Sequence, residues 1–325
     1  MSLPSWRLLA ALVVLAVVGT VGLTAWVDAR AERRFWSEVP APFVQRSVTV
    51  DGVSWRYLEA GEGPPLVCLH GAYGGAEDWV VTVGVQLAER FRVLAIDRPG
   101  HGFSERGRGV ETPSGQAAAL IGLFDALDLE RPLMAGFSWG GAVTAACLAE
   151  APERVRGAVL LGAPLYPWDG EVSAIDRVLS TPVLGPLVAH GGASLLARGL
   201  APSMLTEAFA PESAPSAYLE RSPVPLALRA SALVHNSIDM AGLNAALAVQ
   251  QNGYSRVSAP IEVVHGDGDQ VVWTTHHAQP FCAAVPSAVL TELPGAGHQL
   301  LYTRAPEVLA AFGRLADRVA SRDDG

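Results

Sequence analysis

The chain has 325 residues, 50% hydrophobic and 17% charged, with a formal net charge of -9. That length allows a sizeable core, and the composition is too apolar for a disordered chain. The acidic balance excludes a nucleic-acid footprint, and the lack of any lysine excludes Schiff-base chemistry and a phosphate-binding P-loop.

The first element is an uncharged run, Leu8 to Val27, flanked by Trp6 and Trp26. As a helix it spans about 30 Å, the thickness of a bilayer core, with aromatic residues at the interfaces. Residues 1–30 are therefore expected to form a single-pass membrane anchor. The arginine-only, alanine-rich composition points to a GC-rich bacterium, hence to a bacterial inner membrane. Two alternatives stay open: a signal peptide cleaved near Ala29-Arg30-Ala31, or a buried core helix. The side is also open. Arg30, Arg33 and Arg34 lean toward a cytoplasmic catalytic domain, whereas a very short leading tail leans the other way.

Residues 31–45, with Pro40 and Pro42, read as a linker. RSVTV (46–50) and VSWRYLE (53–59) flank Asp51-Gly52, the signature of a β-hairpin. PLVCLH (65–70), FRVLAID (91–97), PLMAGF (132–137) and VRGAVLLGAP (155–164) are short apolar runs, as expected of strands buried on both faces. Helical stretches separate them at 78–90, 113–127 and 140–149. Strands alternating with helices imply a mainly parallel sheet in an α/β fold. The alternation stops over 165–256, which reads as a helical cap inserted above the carboxyl edge of the strands, where open α/β sheets bind ligands. It resumes with strands at 260–266 and 287–293 and helices at 274–284 and 306–320. The core is thus expected in two parts, 46–164 and 257–325. Cys68, Cys147 and Cys282 are far apart and suit small buried hydrophobes better than disulfides or zinc.

Chemistry concentrates in Gly136-Phe137-Ser138-Trp139-Gly140, a G-x-S-x-G at a strand-to-helix junction. A sharp turn there lifts the serine hydroxyl above the sheet, and the helix N-terminus favours negative charge beside it. Serine needs a base. Of eight histidines, only His298, in PGAGHQL, lies after the resumed strands and in the loop before the last helix. His276 and His277 read as ordinary surface residues. The base needs a carboxylate, and GDGDQVV offers two just past a strand end. Asp269 is preferred and Asp267 is the alternative. The loop His70-Gly71-Ala72 after the first buried strand supplies a second backbone donor, Ala72 N–H, to an oxyanion hole whose other donor is Trp139 N–H.

HGAYGG, DRPGHGFSER, GFSWGG, HGDGD and GAGHQ stand in an order and spacing that resemble the α/β-hydrolase superfamily, in its lidded group, over about 46–320. The resemblance implies a triad of Ser138, Asp269 and His298, with Ala72 and Trp139 as oxyanion donors. It also implies a structural role for Asp97 and the turn after it, with His101 as a possible pocket residue. Epoxide hydrolases and haloalkane dehalogenases of this superfamily carry Asp at the nucleophile position; Ser138 instead suits acyl transfer to water, with no cofactor and no metal. The expected reaction is hydrolysis of a carboxylic ester with an apolar acyl or alcohol part. A carbon–carbon bond hydrolase, an acyltransferase, a cofactor-free haloperoxidase or a non-catalytic ligand-binding member remain alternatives. Apolar stretches in the insertion, PVLGPLVAH, SLLARGLAP and LNAALAV, are expected to line a pocket or to pack within the cap. The expected partners are that small-molecule ester and, through the first helix, a membrane.

Overall fold

The computed structural model describes residues 5–323. Met1–Pro4, the start of the expected anchor, lie outside the described residues. Helix α1 (Ser5–Ser37) is 33 residues long, continuous and uncharged through most of its length. Its segment Leu9–Ser37 is long and apolar enough to cross a membrane, with a mean hydropathy of 2.3 in its most apolar window. The expected linker over 31–45 is corrected by the structure. Ala31, Glu32, Arg33 and Arg34 tolerate a helix, and α1, held there by cap contacts from Asp28, Glu32 and Arg34, runs on to Ser37, after which a short connection over 38–43 leads to the first strand.

Eight strands form one sheet in the order β1-β2-β4-β3-β5-β6-β7-β8. β1 (Val44–Val50) and β2 (Val53–Ala60) are the expected hairpin about Asp51-Gly52, with Val50 opposite Val53. β2 also pairs antiparallel with β4 (Arg92–Ile96). From β4 onward, β3 (Pro65–Leu69), β5 (Leu133–Phe137), β6 (Gly157–Leu161), β7 (Ile261–Gly266) and β8 (Ala288–Leu293) are all parallel. Every residue of β5 and β6 is buried. Their side chains alternate between two cores: Met134 and Leu160 join one face, Leu133, Ala135, Val159 and Leu161 the other. Each buried Val or Leu adds about 1.5–3 kcal/mol, so a central strand with two apolar faces is held from both sides.

Short helical pieces α2 (Glu77–Trp79) and α3 (Val85–Ala88) follow β3, joined by a π-helical turn over 80–84. α4 (Pro113–Ala126) is capped by Thr112, whose hydroxyl accepts from Gly115 N–H, and α5 (Trp139–Glu150) follows β5 directly. The inserted cap holds α6 (Ala174–Leu179), α7 (Leu184–Val188), α8 (Ser194–Phe209), α9 (Tyr218–Arg221), α10 (Val224–Ala227) and α11 (Ala230–Gln250). Its own core gathers Leu179, Phe209, Tyr218, Leu228 and Leu233. α12 (Ala278–Ala284), α13 (Leu300–Thr303) and α14 (Ala305–Asp323) complete the second part of the core. The α/β-hydrolase architecture expected from the sequence is the architecture found.

Candidate active site

Ser138 stands between the last residue of β5 and the first of α5, with φ 49° and ψ -122°. A non-glycine residue in that region is strained by about 1–3 kcal/mol and persists only where its surroundings fix it. Here Ser138 N–H donates to Leu161 O at 2.8 Å, and Ser138 O accepts from Gly141 N–H at 2.7 Å. The two glycines of the motif are required by close approach. A Cβ on Gly136 would sit 2.3 Å from Gly140 O, and one on Gly140 2.5 Å from Leu69 O.

His298 lies in the loop before α13 and is buried. Its Nε2 is 3.0 Å from Ser138 Oγ and its Nδ1 is 2.7 Å from Asp269 Oδ2. Asp269 follows β7, and its other oxygen accepts from Val271 and Val272 N–H, both at 2.8 Å. Burial disfavours the charge on Asp269. The opposed charge of His298, hydrogen bonds from His265 and His298, and the Val272 N–H outweigh it and hold the carboxyl well below its usual range. Asp267 points elsewhere: its Oδ1 accepts from Gly295 N–H at 2.7 Å, and the residue is exposed.

Ala72, Ser138, Trp139 and His298 all line one cavity of about 540 Å³. The Trp139 N–H, at the first position of α5, has no intrahelical acceptor by construction. Among the described residues, Ala72 N–H donates to no loop or turn carbonyl. Arg98 explains why that loop presents its donors inward. Its Nε donates to His70 O at 3.0 Å and its Nη2 to Gly71 O at 3.1 Å. With the carbonyls drawn to the guanidinium, the next N–H faces the other way. Arg98 also stacks 4.5 Å over the Trp139 ring and pairs at 2.9 Å with Asp239 of cap helix α11. Asp97 braces the same region, accepting from Ala76 N–H and Phe103 N–H, each at 2.9 Å.

The cavity wall is mainly apolar. Ala201, Met204, Leu205 and Ala208 come from α8, Met240 and Leu243 from α11, and Trp168, Val271 and Trp273 from the loops. Ala201 and Leu243 belong to two of the three stretches expected to line a pocket. The third, PVLGPLVAH, contributes nothing to the wall; Val183, Leu184 and Leu187 are exposed instead. Two histidines expected on the surface are pocket residues: His276 and His277 both line the cavity. His277 is buried and its Nδ1 accepts from Leu165 and Tyr166 N–H, each at 3.2 Å. Burial, then the neighbouring His276 and His265, push its pKa down to about 3. His101 is also buried but is not among the lining residues; its ring packs 5.5 Å from His70. Asp78 lines the cavity, accepting from Tyr302 Oη at 2.6 Å and Gly75 N–H at 3.0 Å. Burial pushes its carboxyl up to about 7, against those two hydrogen bonds.

A sequence profile of the alpha/beta hydrolase family matches residues 66–312. The chain belongs to this family. The 2-hydroxy-6-oxo-2,4-heptadienoate hydrolase of Pseudomonas putida is 37% identical over 123 residues, 37% of this chain and 45% of that protein. Haloalkane dehalogenase 2 of Mycobacterium tuberculosis is 37% identical over 132 residues, 39% of this chain and 45% of that protein. The chain thus aligns with under half the length of these curated relatives. Among solved structures, a membrane phospholipase A described as a bacterial virulence factor superposes with a TM-score of 0.63 at 22% identity, over 97% of this chain and 99% of that one. At that identity the likeness is one of fold.

Proposed function

We propose that the chain is a membrane-anchored serine hydrolase cleaving carboxylic esters whose acyl or alcohol part is apolar. The observation that carries this reading is the line Asp269–His298–Ser138, at 2.7 and 3.0 Å, opening into a largely apolar cavity of about 540 Å³. Ser138 Oγ attacks the ester carbonyl while His298 Nε2 takes its proton. Asp269 holds the proton on Nδ1 and offsets the imidazolium charge. The oxyanion receives the N–H groups of Ala72 and Trp139, each such donor typically worth about 2.7–4 kcal/mol in the transition state. His298 then protonates the leaving alcohol and activates the water that releases the acyl group.

Two features argue against the relatives' own reactions. A dienoate substrate carries a carboxylate, but no arginine is among the lining residues, whereas Asp78 and Asp169 are. The dehalogenases of the superfamily attack with an aspartate, and the residue at that position here is Ser138. The anchor is α1, whose Leu9–Ser37 segment has the length and hydropathy of a span.

The test is a p-nitrophenyl ester series of increasing acyl length, with fluorophosphonate labelling, on the full chain in detergent. Wild type should hydrolyse the esters and label at Ser138; Ser138→Ala should do neither. Ester turnover equal in wild type and Ser138→Ala would end the esterase reading. Labelling without turnover of any ester would move the reaction to another acyl transfer on the same residues.

A further inference from the structure

The cap carries an apolar shoulder that its own core does not use. Val183 is 73% exposed, Leu184 50%, Leu187 66% and Leu196 64%. Val183 precedes α7, Leu184 and Leu187 lie on it, and Leu196 is in the first turn of α8, on either side of the turn 189–193. That turn packs against α1: a Cβ on Gly192 would lie 3.2 Å from Thr20 Cγ2.

α1 faces the cap along one stripe. Thr20, Thr24, Asp28, Ala31 and Phe35 recur every three or four residues, and all are buried or half-buried, while Leu9 to Gly19 are exposed on every side. Thr20 and Thr24 are the only hydroxyls in the uncharged run, and both belong to this stripe. Further along the stripe, toward the end of α1, Asp28 accepts from Arg198 of α8 at 2.8 Å and from Ala230 N–H at 2.9 Å. Arg229 pairs with Glu32, and Arg34 donates to Glu220 O. The cap and α1 therefore hold a fixed relative height.

That height has a consequence for the bilayer. From Arg7, the charge at the far end of the run, to Thr20 is 13 residues, or about 20 Å of helix. A hydrocarbon core is about 30 Å thick, so α1 completes its span only by using Thr20–Val27 as well. The cap turn at Gly192 sits beside that last stretch. It lies below the level of Trp26, which is six residues further on, or about 9 Å. A protein surface held at such a depth meets lipid, and the exposed apolar side chains flanking that turn in sequence are Val183, Leu184, Leu187 and Leu196.

We propose that residues 183–196 of the cap form a second membrane contact, seated in the boundary between headgroups and acyl chains of the leaflet on the side of the α/β domain. The partner is the bilayer itself. Immersion of about 5–10 Å is usual for such interfacial surfaces and matches the depth set by the Thr20–Gly192 contact. The contact places one edge of the cap in lipid and the clasp Asp28–Arg198 at the headgroup level. The inference rests on the anchoring proposed above.

The test separates the two. The full chain carries Cys282→Ser, because Cys68 and Cys147 are buried, and receives single cysteines at Val14, Leu187, Leu196 or Glu153 for an environment-sensitive fluorophore. Glu153 is exposed in the turn before β6, at the amino edge of the sheet, opposite the cap. Leu187 and Leu196 are mostly exposed, so their substitution leaves the cap core intact. In phosphatidylcholine–phosphatidylglycerol nanodiscs, spin-labelled lipid should reduce emission at least about twofold at Val14, Leu187 and Leu196 and leave Glu153 unchanged. Aqueous iodide should quench only Glu153. Shallow spin labels should act more strongly than deep ones at Leu187, and the reverse at Val14. Lipid quenching at Val14 with iodide quenching at Leu187 and Leu196 overturns the cap contact and leaves the anchor standing. Iodide quenching at all four sites overturns both. Protection of Leu187 and Leu196 from both quenchers marks a protein contact on the shoulder and also overturns the proposal.

Discussion

Asp269→Asn isolates the role of the acid. Oδ1 of Asp269 accepts two backbone N–H groups at 2.8 Å, and Oδ2 faces His298 Nδ1 at 2.7 Å. In the variant the amide oxygen must stay on the two N–H groups. Turning the amide around would strand both buried donors, at about 1–3 kcal/mol each. The amide NH2 then faces His298 Nδ1 and donates to it. Nδ1 becomes the acceptor, the imidazole proton moves to Nε2, and Nε2 can no longer take the proton of Ser138. The expected loss is about 10⁴ in kcat, or about 5.4 kcal/mol, with KM nearly unchanged because the cavity wall is untouched. Steady-state hydrolysis of p-nitrophenyl butyrate by the full chain in detergent measures it. Asp267→Asn is the control. It keeps an oxygen acceptor for Gly295 N–H, and a surface change of this kind stays within about 0.5 kcal/mol. A loss under about tenfold in Asp269→Asn, or an equal loss in Asp267→Asn, would refute the assignment.

Ser138→Ala and His298→Ala should each lower kcat by several orders of magnitude, and the double variant should fall little further, because the groups act as a unit; additive losses in the same assay would contradict that. Asp78, pushed up to about 7, binds more protons folded than unfolded between pH 4 and 7, so stability falls as pH rises through that window. Asp78→Asn should remove up to about 4 kcal/mol of that slope, at 1.36 kcal/mol per pH unit, read from thermal unfolding in detergent. His277, pushed down to about 3, acts in the opposite sense: the unfolded chain takes up its proton first, so stability falls as pH drops from 6.5 to 3. His277→Gln should flatten that loss by up to about 5 kcal/mol, and a slope steeper than wild type would contradict its neutral burial.

The parts of the molecule legible in the sequence are those whose constraint is local. The Ser138 turn is written in five consecutive residues, since the glycines on both sides answer a steric demand made by β3 and α5. Strands buried on both faces are legible because their side chains have nowhere polar to point. The order Ser138, Asp269, His298 is the one the family resemblance implies, and the structure brings these three residues together.

What the sequence hides is burial produced by partners far along the chain. Arg98 stands in a polar turn motif, Asp-Arg-Pro-Gly, that reads as solvated. Its burial depends on Asp239, 141 residues later on a cap helix. His276 and His277 open a helix, a place where polar residues are ordinary; only the cap roofing them makes a cavity wall. The end of α1 is hidden for a related reason. Asp28, Glu32 and Arg34 read as the polar end of a span, and propensity alone allows either a helix or a linker there. Their cap partners, Arg198, Arg229 and the Glu220 carbonyl, decide for the helix. The same contacts fix the height of the cap on α1, so charges that look like the margin of an apolar segment set how deep its neighbour sits.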